Sequence, residues 1–387
     1  MPNFHGHEYK YLRERELNEI YITIAIRTFA ISMINLFIPI YLYKLGISLI
    51  HIVLYYVFFY TYALFLNYPI SLFANKIGFK HSILASMPCM VLLYMLFYSI
   101  DKVPWSLPMP AILAIFAFVG SCSALLFWMA FHFDFSKFTR KSKRGTQVGL
   151  LKAITTVLSV LGPVVGGVLA SISFHATFVI ASLLLLVSTI PLFFSNEVHR
   201  PIKFKLKYLF LRKNTNKFIA HLGEGIRIAP VEVLWPLFIF ISKIGVASVG
   251  LIFSAANLVM AAVMFYIGKK SDKRKNRQKF LTFGTISNGI ITGTRALFAN
   301  VYGFYATTIL GGLTFAFLIV PFHASMYKRA SREPEYLIFR AITLNCGRIL
   351  TLLIAILAFL YIEMKLAFTI LFVIAGLGAI LMWFTKE

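Results

Sequence analysis

The sequence predicts an all-α integral membrane protein of twelve transmembrane helices in two six-helix halves. Three observations predict it. Of 387 residues, 59% are hydrophobic and 13% charged, against about 25% charged in an average soluble domain. Twelve mostly apolar runs of about 20 residues, the length that crosses a bilayer as helix, follow one another along the chain. The ten-residue alternating segments of a membrane β-barrel are missing, and a helix satisfies its backbone polar groups internally in lipid.

The runs cover 18–43, 49–73, 80–100, 108–132, 146–171, 174–194, 218–241, 245–267, 279–299, 301–326, 337–362 and 366–385. The segment before the first, "MPNFHGHEYKYLRERELNE", is polar and mixed in charge. It lacks the pattern of a cleaved signal, so the first run is expected to stay as a span. After the sixth run stands the longest polar interruption, "SNEVHRPIKFKLKYLFLRKNTNK". It divides the chain into a six-helix bundle at 1–194, a basic linker at 195–217 and a second six-helix bundle at 218–387. The linker alternates basic with apolar residues, a pattern suited to lying on the inner leaflet.

The net charge is +24, but the basic residues cluster. With the N-terminus inside, 28 Lys/Arg fall in pieces on the cytoplasmic side, and four, Lys44, Lys102, Lys243 and Lys365, on the other. That asymmetry puts both termini in the cytoplasm of a multi-pass protein of the plasma or bacterial inner membrane. The densest knot, "YIGKKSDKRKNRQKF" at 266–280, reads first as a topology anchor, with lipid-headgroup binding as the alternative and nucleic acid not expected. Cys89, Cys122 and Cys346 all lie inside apolar runs, without metal-ligand spacing. No metal, cofactor or disulfide framework is expected.

Two loops repeat. "SLFANKIGFK" at 71–80 and "GKKSDKRKNR" at 268–277 align without gaps at an offset of 197. Ser71 faces Gly268, Asn75 faces Asp272, Lys76 faces Lys273 and Lys80 faces Arg277. Repeats at matching positions of two halves are a transporter signature. The pattern resembles the loop motif of the major facilitator superfamily, Gly-x-x-x-Asp-Arg/Lys-x-Gly. Gly78 and Lys80 fit it in the first half, where Ser71 and Asn75 replace its glycine and aspartate. Gly268, Asp272, Lys273 and Arg277 fit it in the second. The fifth run, "KRGTQVGLLKAITTVLSVLGPVVGGVL", is similar to that family's fifth helix in Gly162, Pro163, Gly166 and Gly167, while Leu158 stands where the antiporter version has glycine. The resemblance implies two six-helix bundles around a central cavity, alternating access, and gating roles for Asn75, Lys76, Lys80, Asp272, Lys273 and Arg277. Read from the residues alone, the glycines allow close helix packing, Pro163 bends the helix, and Asp272 caps one.

Charged side chains within spans are costly, and mark functional or paired sites. Arg27 and Asn35 lie on one face of the first run. The seventh, "HLGEGIRIAPVEVLWPLF", holds Glu224, Arg227 and Glu232 among Pro230 and Pro236. Glu224 and Arg227, three apart, could pair along the helix. Arg340 and Arg348 lie on one polar stripe of the eleventh. Trp128, His132 and Asp134 end the fourth, with Asp134 expected as a gate ion-pair or a partner for the basic loop, and His323 lies in the tenth. Arg27, Arg340 and Arg348 have fewer obvious acidic partners, and facing a cavity they would suit an anionic or zwitterionic substrate. Arg295 and Lys152 are expected to snorkel.

The leading expectation is a secondary active transporter of a small solute, for uptake or efflux, coupled to protons through Glu224 or Glu232, and monomeric. A receptor or lipid-handling protein of the same fold is the alternative. An enzyme is not expected: no Walker A loop, HExxH or Asp-x-Asp cluster occurs.

Overall fold

The computed structural model describes residues 4–104, 106–138, 144–191, 214–270, 274–333 and 335–385, with side chains from Asn18 onward except 136–145, Lys152, Lys269 and 274–275. Helix occupies every one of the twelve apolar runs, and no strand occurs among the described residues. Among the described residues, eight helices are long and apolar enough to cross a membrane.

In order the helices are α1 (Phe4–Ser32), α2 (Ile38–Lys44), α3 (Leu49–Ile77), α4 (Phe79–Ser99), α5 (Met109–Phe138), α6 (Arg144–Ile172) and α7 (Phe174–Val187). Then come α8 (Thr215–Ala229), α9 (Trp235–Ile241), α10 (Val246–Lys270), α11 (Arg274–Thr294), α12 (Val301–Ala330), α13 (Glu335–Tyr361) and α14 (Met364–Leu381). Their caps follow local chemistry. Ser48 and Ser173 accept from the third backbone N–H beyond them, and Asn300 does the same for α12. The α3–α4 connection is the single residue Gly78, whose φ of 98° suits glycine alone.

Two runs are not the continuous helices their hydropathy suggests. The first, expected unbroken over 18–43, is interrupted by turns at 33–37. Pro39 lies in the first turn of α2, where a missing N–H costs nothing. In the seventh a π-helical turn at Pro230–Leu234 separates α8 from α9.

The packing repeats along the chain. In the first half α3 packs on α5, α4 on α5, α1 on α6, α4 on α7 and α1 on α7. In the second half α10 packs on α12, α11 on α12, α8 on α13, α11 on α14 and α8 on α14. Two long seams cross between the halves, α6 against α10 and α3 against α13.

The α6–α10 seam is held by small residues. A Cβ on Gly149 would fall 2.7 Å from the Gly268 Cα, and one on Gly167 3.3 Å from the Ala247 Cα. One on Gly250 would overlap the Pro163 carbonyl. Ser254 donates to the Val160 carbonyl at 2.5 Å and Asn257 to that of Ser159 at 2.9 Å. Gly162 and Gly166 turn instead to α1 and the chain just after it, against Ser32 and the Met33 carbonyl. Gly166→Ala is therefore expected to cost about 3 kcal/mol, the top of the overpacking range, because its methyl meets backbone. Gly245→Ala, with nothing within 4 Å, serves as the neutral control in the same thermal unfolding assay.

Candidate functional site

The interrupted runs hold the most informative residues. Pro230 stands 197 residues after Met33, and Leu234 197 after Phe37. The two breaks thus share the offset of the loop repeat. Asn35 and Glu232 occupy equivalent places in them. Asn35 accepts from the Tyr94 hydroxyl at 2.9 Å. Glu232 is exposed despite its position in mid-run. Its π turn, where backbone bonds slip by one residue, is a geometry often found at functional sites.

Arg27, on α1, is 4% exposed. Its guanidinium carbon sits 3.5 Å from the centre of the Phe127 ring and 5.6 Å from that of Trp128. Its Nε has no hydrogen-bond partner among the described residues. Trp128 is 40% exposed and stacks on His132. Arg348 lies over Tyr60 at 4.6 Å, across the α3–α13 seam, and donates to Asn345 at 3.2 Å.

Glu224 is the hub of the second half. It is 1% exposed. Arg340 Nε donates to its Oε2 at 3.2 Å, and Arg340 Nη2 to its Oε1 at 2.5 Å. His221 Nδ1 lies 3.1 Å from Oε2, and His323 Nε2 3.4 Å from Oε1. The pairing of Glu224 with Arg227 does not form. Arg227 donates to Asn288 at 2.7 Å and packs over Phe315. The i,i+3 spacing permits a contact along α8, but α13 supplies a bidentate guanidinium, the stronger geometry. Arg340 therefore has an acidic partner, one that local sequence spacing does not point to. The two helices meet closely here because Gly225 and Gly347 face each other, their Cα atoms within van der Waals reach of any added methyl.

The hub opens at one end and approaches the other half at the other. His221 Nε2 lies 2.7 Å from the Tyr336 hydroxyl, and both residues line a cavity of about 440 Å³ at the end bearing the basic loops. On the other side His323 packs near Tyr327. The Tyr327 hydroxyl lies 2.7 Å from His132 Nδ1, a bond from α12 to α5 that joins the two halves.

Arg295 does not snorkel. It is 3% exposed, with its guanidinium 4.7 Å from the Trp235 ring centre and near Phe372. The large aromatic faces beside it offer a cation–π site where lipid would not. Of the gating residues, Asn75 and Lys76 end α3. Lys80 is 3% exposed and Asp134 fully buried, each beside a member of the stacked pair Phe79–Phe133. Gly268 lies in the α6–α10 seam, and Arg277 in the first turn of α11. Asp272, Lys273 and the Lys152 side chain lie outside the described residues, as does the linker up to residue 213.

Sequence reasoning missed His221, Tyr327, Tyr336, Tyr56, Tyr60 and Tyr94. One signal was available, the Tyr56 and Tyr60 pair at one-turn spacing in an otherwise apolar run. Among the described residues no three His, Cys, Asp or Glu side chains are placed so that they could hold a metal ion.

The chain is similar to "Uncharacterized protein YqgE" of Bacillus subtilis (strain 168), 23% identical over 287 residues that cover 67% of this chain and 65% of that protein. The chain thus spans slightly under two thirds of that relative's length. The family model described as Major Facilitator Superfamily matches residues 20–216, about half of the chain. Together with the helical repeat and its membrane-length helices, that match makes this chain a member of the major facilitator superfamily.

Proposed function

We propose that the chain is a secondary active transporter that moves a small solute by alternating access, coupled to protons through Glu224. In this reading twelve spans form two six-helix bundles, 1–194 and 218–387, in a monomer. The linker and both termini are cytoplasmic, and the basic end is the inner one. The observation that carries the proposal is the pair of helix breaks at one offset, in the first run of each half. Irregular backbone at membrane depth is tolerated only where it is buried in protein or lines a cavity, and paired interruptions mark transporter binding sites. The repeated packing pattern supports two bundles that rock about the α6–α10 and α3–α13 seams.

Within this reading Arg27 anchors the solute, with Asn35, Trp128, Glu232 and Arg348 around the same passage. A buried guanidinium that rests, among the described residues, on aromatic faces and whose Nε has no partner there favours an anionic or zwitterionic solute, whose carboxylate or phosphate would supply an acceptor. The His132–Tyr327 bond closes the basic end and must break when that end opens. The test is reconstitution into liposomes with an imposed pH gradient, followed by a screen of anionic, zwitterionic and neutral solutes. At least one of the first two classes should accumulate, with Arg27→Ala raising its half-saturation at least tenfold. If nothing moves, and Arg27→Ala matches wild type in every assay, the transport reading fails.

A further inference from the structure

At the end opposite the basic loops, three segments of the first half meet on one carboxylate. Asp101 lies in the α4–α5 connection. Its Oδ1 is 3.0 Å from His175 Nε2, in the first turn of α7. The same oxygen accepts from the Tyr41 hydroxyl of α2 at 3.4 Å, a proton that Tyr41 shares with the Phe97 carbonyl at 3.2 Å. The His175 ring stands edge-on to Tyr98 of α4 at 4.9 Å and to Tyr41 at 6.5 Å. The His175 and Asp101 side chains are 27% and 31% exposed, so both exchange protons with water.

α2 is the segment on which this fastening acts. It is seven residues long, follows the turns at 33–37, and no side chain caps its start. Tyr41 turns into the first half, against Phe174 at 4.8 Å and Phe178 at 5.4 Å. Tyr43 is two residues on, and so nearly on the opposite side of the helix. Its ring meets that of Phe240, on α9 of the second half, at 6.3 Å. Whatever holds Tyr41 therefore also places this contact between the halves.

We propose that Asp101 and His175 form an acid-operated clasp that seats α2, and with it the α2–α9 contact, more firmly as pH falls. Imidazoles take up a proton in the range between pH 5 and 8, and a charged donor bonds a carboxylate more strongly than a neutral one. Asp101 stays ionised through that range. Burial pushes its carboxyl up, but the bonds from His175, its own backbone N–H and Tyr41 outweigh this and hold it below the ordinary value. Two other cations lie close by. Lys102 sits 4.0 Å from the Tyr98 ring centre and Lys44 5.5 Å from that of Phe174. Each is drawn onto a ring, which leaves His175 as the ion-pair partner of Asp101 among the described residues. Tyr94 of α4 is turned to Asn35. No further Asp, Glu, His, Lys, Arg, Cys or Tyr occurs in α7 or in the adjoining stretches 29–40 and 168–172. His51, a second histidine at this end, bonds Ser48 at 2.7 Å and takes no part in the clasp.

The test uses the full-length protein in nanodiscs, with Cys89, Cys122 and Cys346 replaced by alanine. Spin labels at Leu45→Cys, just after α2, and Ser248→Cys, on α10 of the second half, report their separation by pulsed electron resonance. From pH 8 to pH 5 the population at the separation of this structure, relative to all others, should rise about threefold, a gain that a part-exposed ion pair can supply. Asp101→Asn and His175→Gln each keep hydrogen-bonding capacity but remove one charge of the pair, and each should flatten the response. His51→Gln should leave it at about threefold. A label separation that does not respond to pH in the parent protein would overturn the proposal. So would a response of parental size in either Asp101→Asn or His175→Gln. Because a distance is read and no solute moves, this result stands apart from the fate of the transporter reading.

Discussion

Glu224→Gln and His221→Gln are each expected to abolish solute accumulation driven by a pH gradient while leaving solute exchange at equal pH within about threefold of wild type. The reasoning starts from the hydrogen-bond chain Tyr336 hydroxyl, His221, Glu224. A neutral imidazole carries one N–H. With Nδ1 protonated it donates to the Glu224 carboxylate, and Nε2 accepts from Tyr336. All bonds then point inward from the cavity. A proton can pass to Glu224 from Nδ1 as Tyr336 reprotonates Nε2 and takes a proton from cavity water. Glu224 itself is 1% exposed, so it has no direct route to bulk water. Gln at 224 keeps an acceptor for Arg340 but cannot carry a proton. Gln at 221 keeps bonding capacity but does not relay. Exchange needs the two bundles to rock with solute bound but does not need net proton movement, so it should survive. Gradient-driven accumulation that persists in Glu224→Gln removes the proton-coupling reading. Accumulation lost in Glu224→Gln but normal in His221→Gln removes the relay alone. Imidazole added to His221→Ala should restore part of the coupled flux, a recovery that a purely packing role would not give.

Much of this arrangement was legible in the sequence, and the limits are physical. Apolar runs of span length fix helices because lipid leaves the backbone no other partner. The offset of 197 between basic loops was visible as residue identity. That the same offset relates Met33–Phe37 to Pro230–Leu234 was not, because the two breaks arise differently. One is a string of turns ahead of Pro39 and the other a π turn beginning at Pro230. The Glu224–Arg340 pair joins positions 116 residues apart, and local spacing pointed to Arg227 instead. Arg227 is drawn away by Asn288 of α11, a neutral residue that no charge pattern would single out. Arg295 read as an end residue because its run ends there, yet it turns inward onto Trp235. His132 was legible as a polar residue near a helix end, but its partner Tyr327 comes from the other half. In each case the helix was readable and the partner was not, since partners are set by which helices the packing brings together.

Arg340→Met should destabilise the protein by about 3–5 kcal/mol, the cost of stranding one partner of a buried ion pair. The carboxylate it leaves behind is 1% exposed and held between two histidines. Neither ring replaces the two-bond fork that Arg340 supplies. The double variant Glu224→Gln/Arg340→Met removes both charges and keeps a neutral acceptor beside His221 and His323. It should recover stability to within about 1 kcal/mol of wild type, because a neutral polar group in a hydrogen-bonded site avoids the desolvation cost of an unpaired ion. Unfolding in detergent, followed by helix signal, reads both numbers. Lowering the pH should narrow the gap between Arg340→Met and wild type, since protonation neutralises the stranded carboxylate, while the double variant should show no such recovery. A single variant as stable as wild type would mean that Arg340 does not hold a charged Glu224. A double variant no better than the single would mean that Arg340 matters by its packing along α13 rather than by its charge. Only the pattern of a large single loss, a restored double and a pH-dependent gap fits a charge pair, which is the state a proton carrier at this position requires.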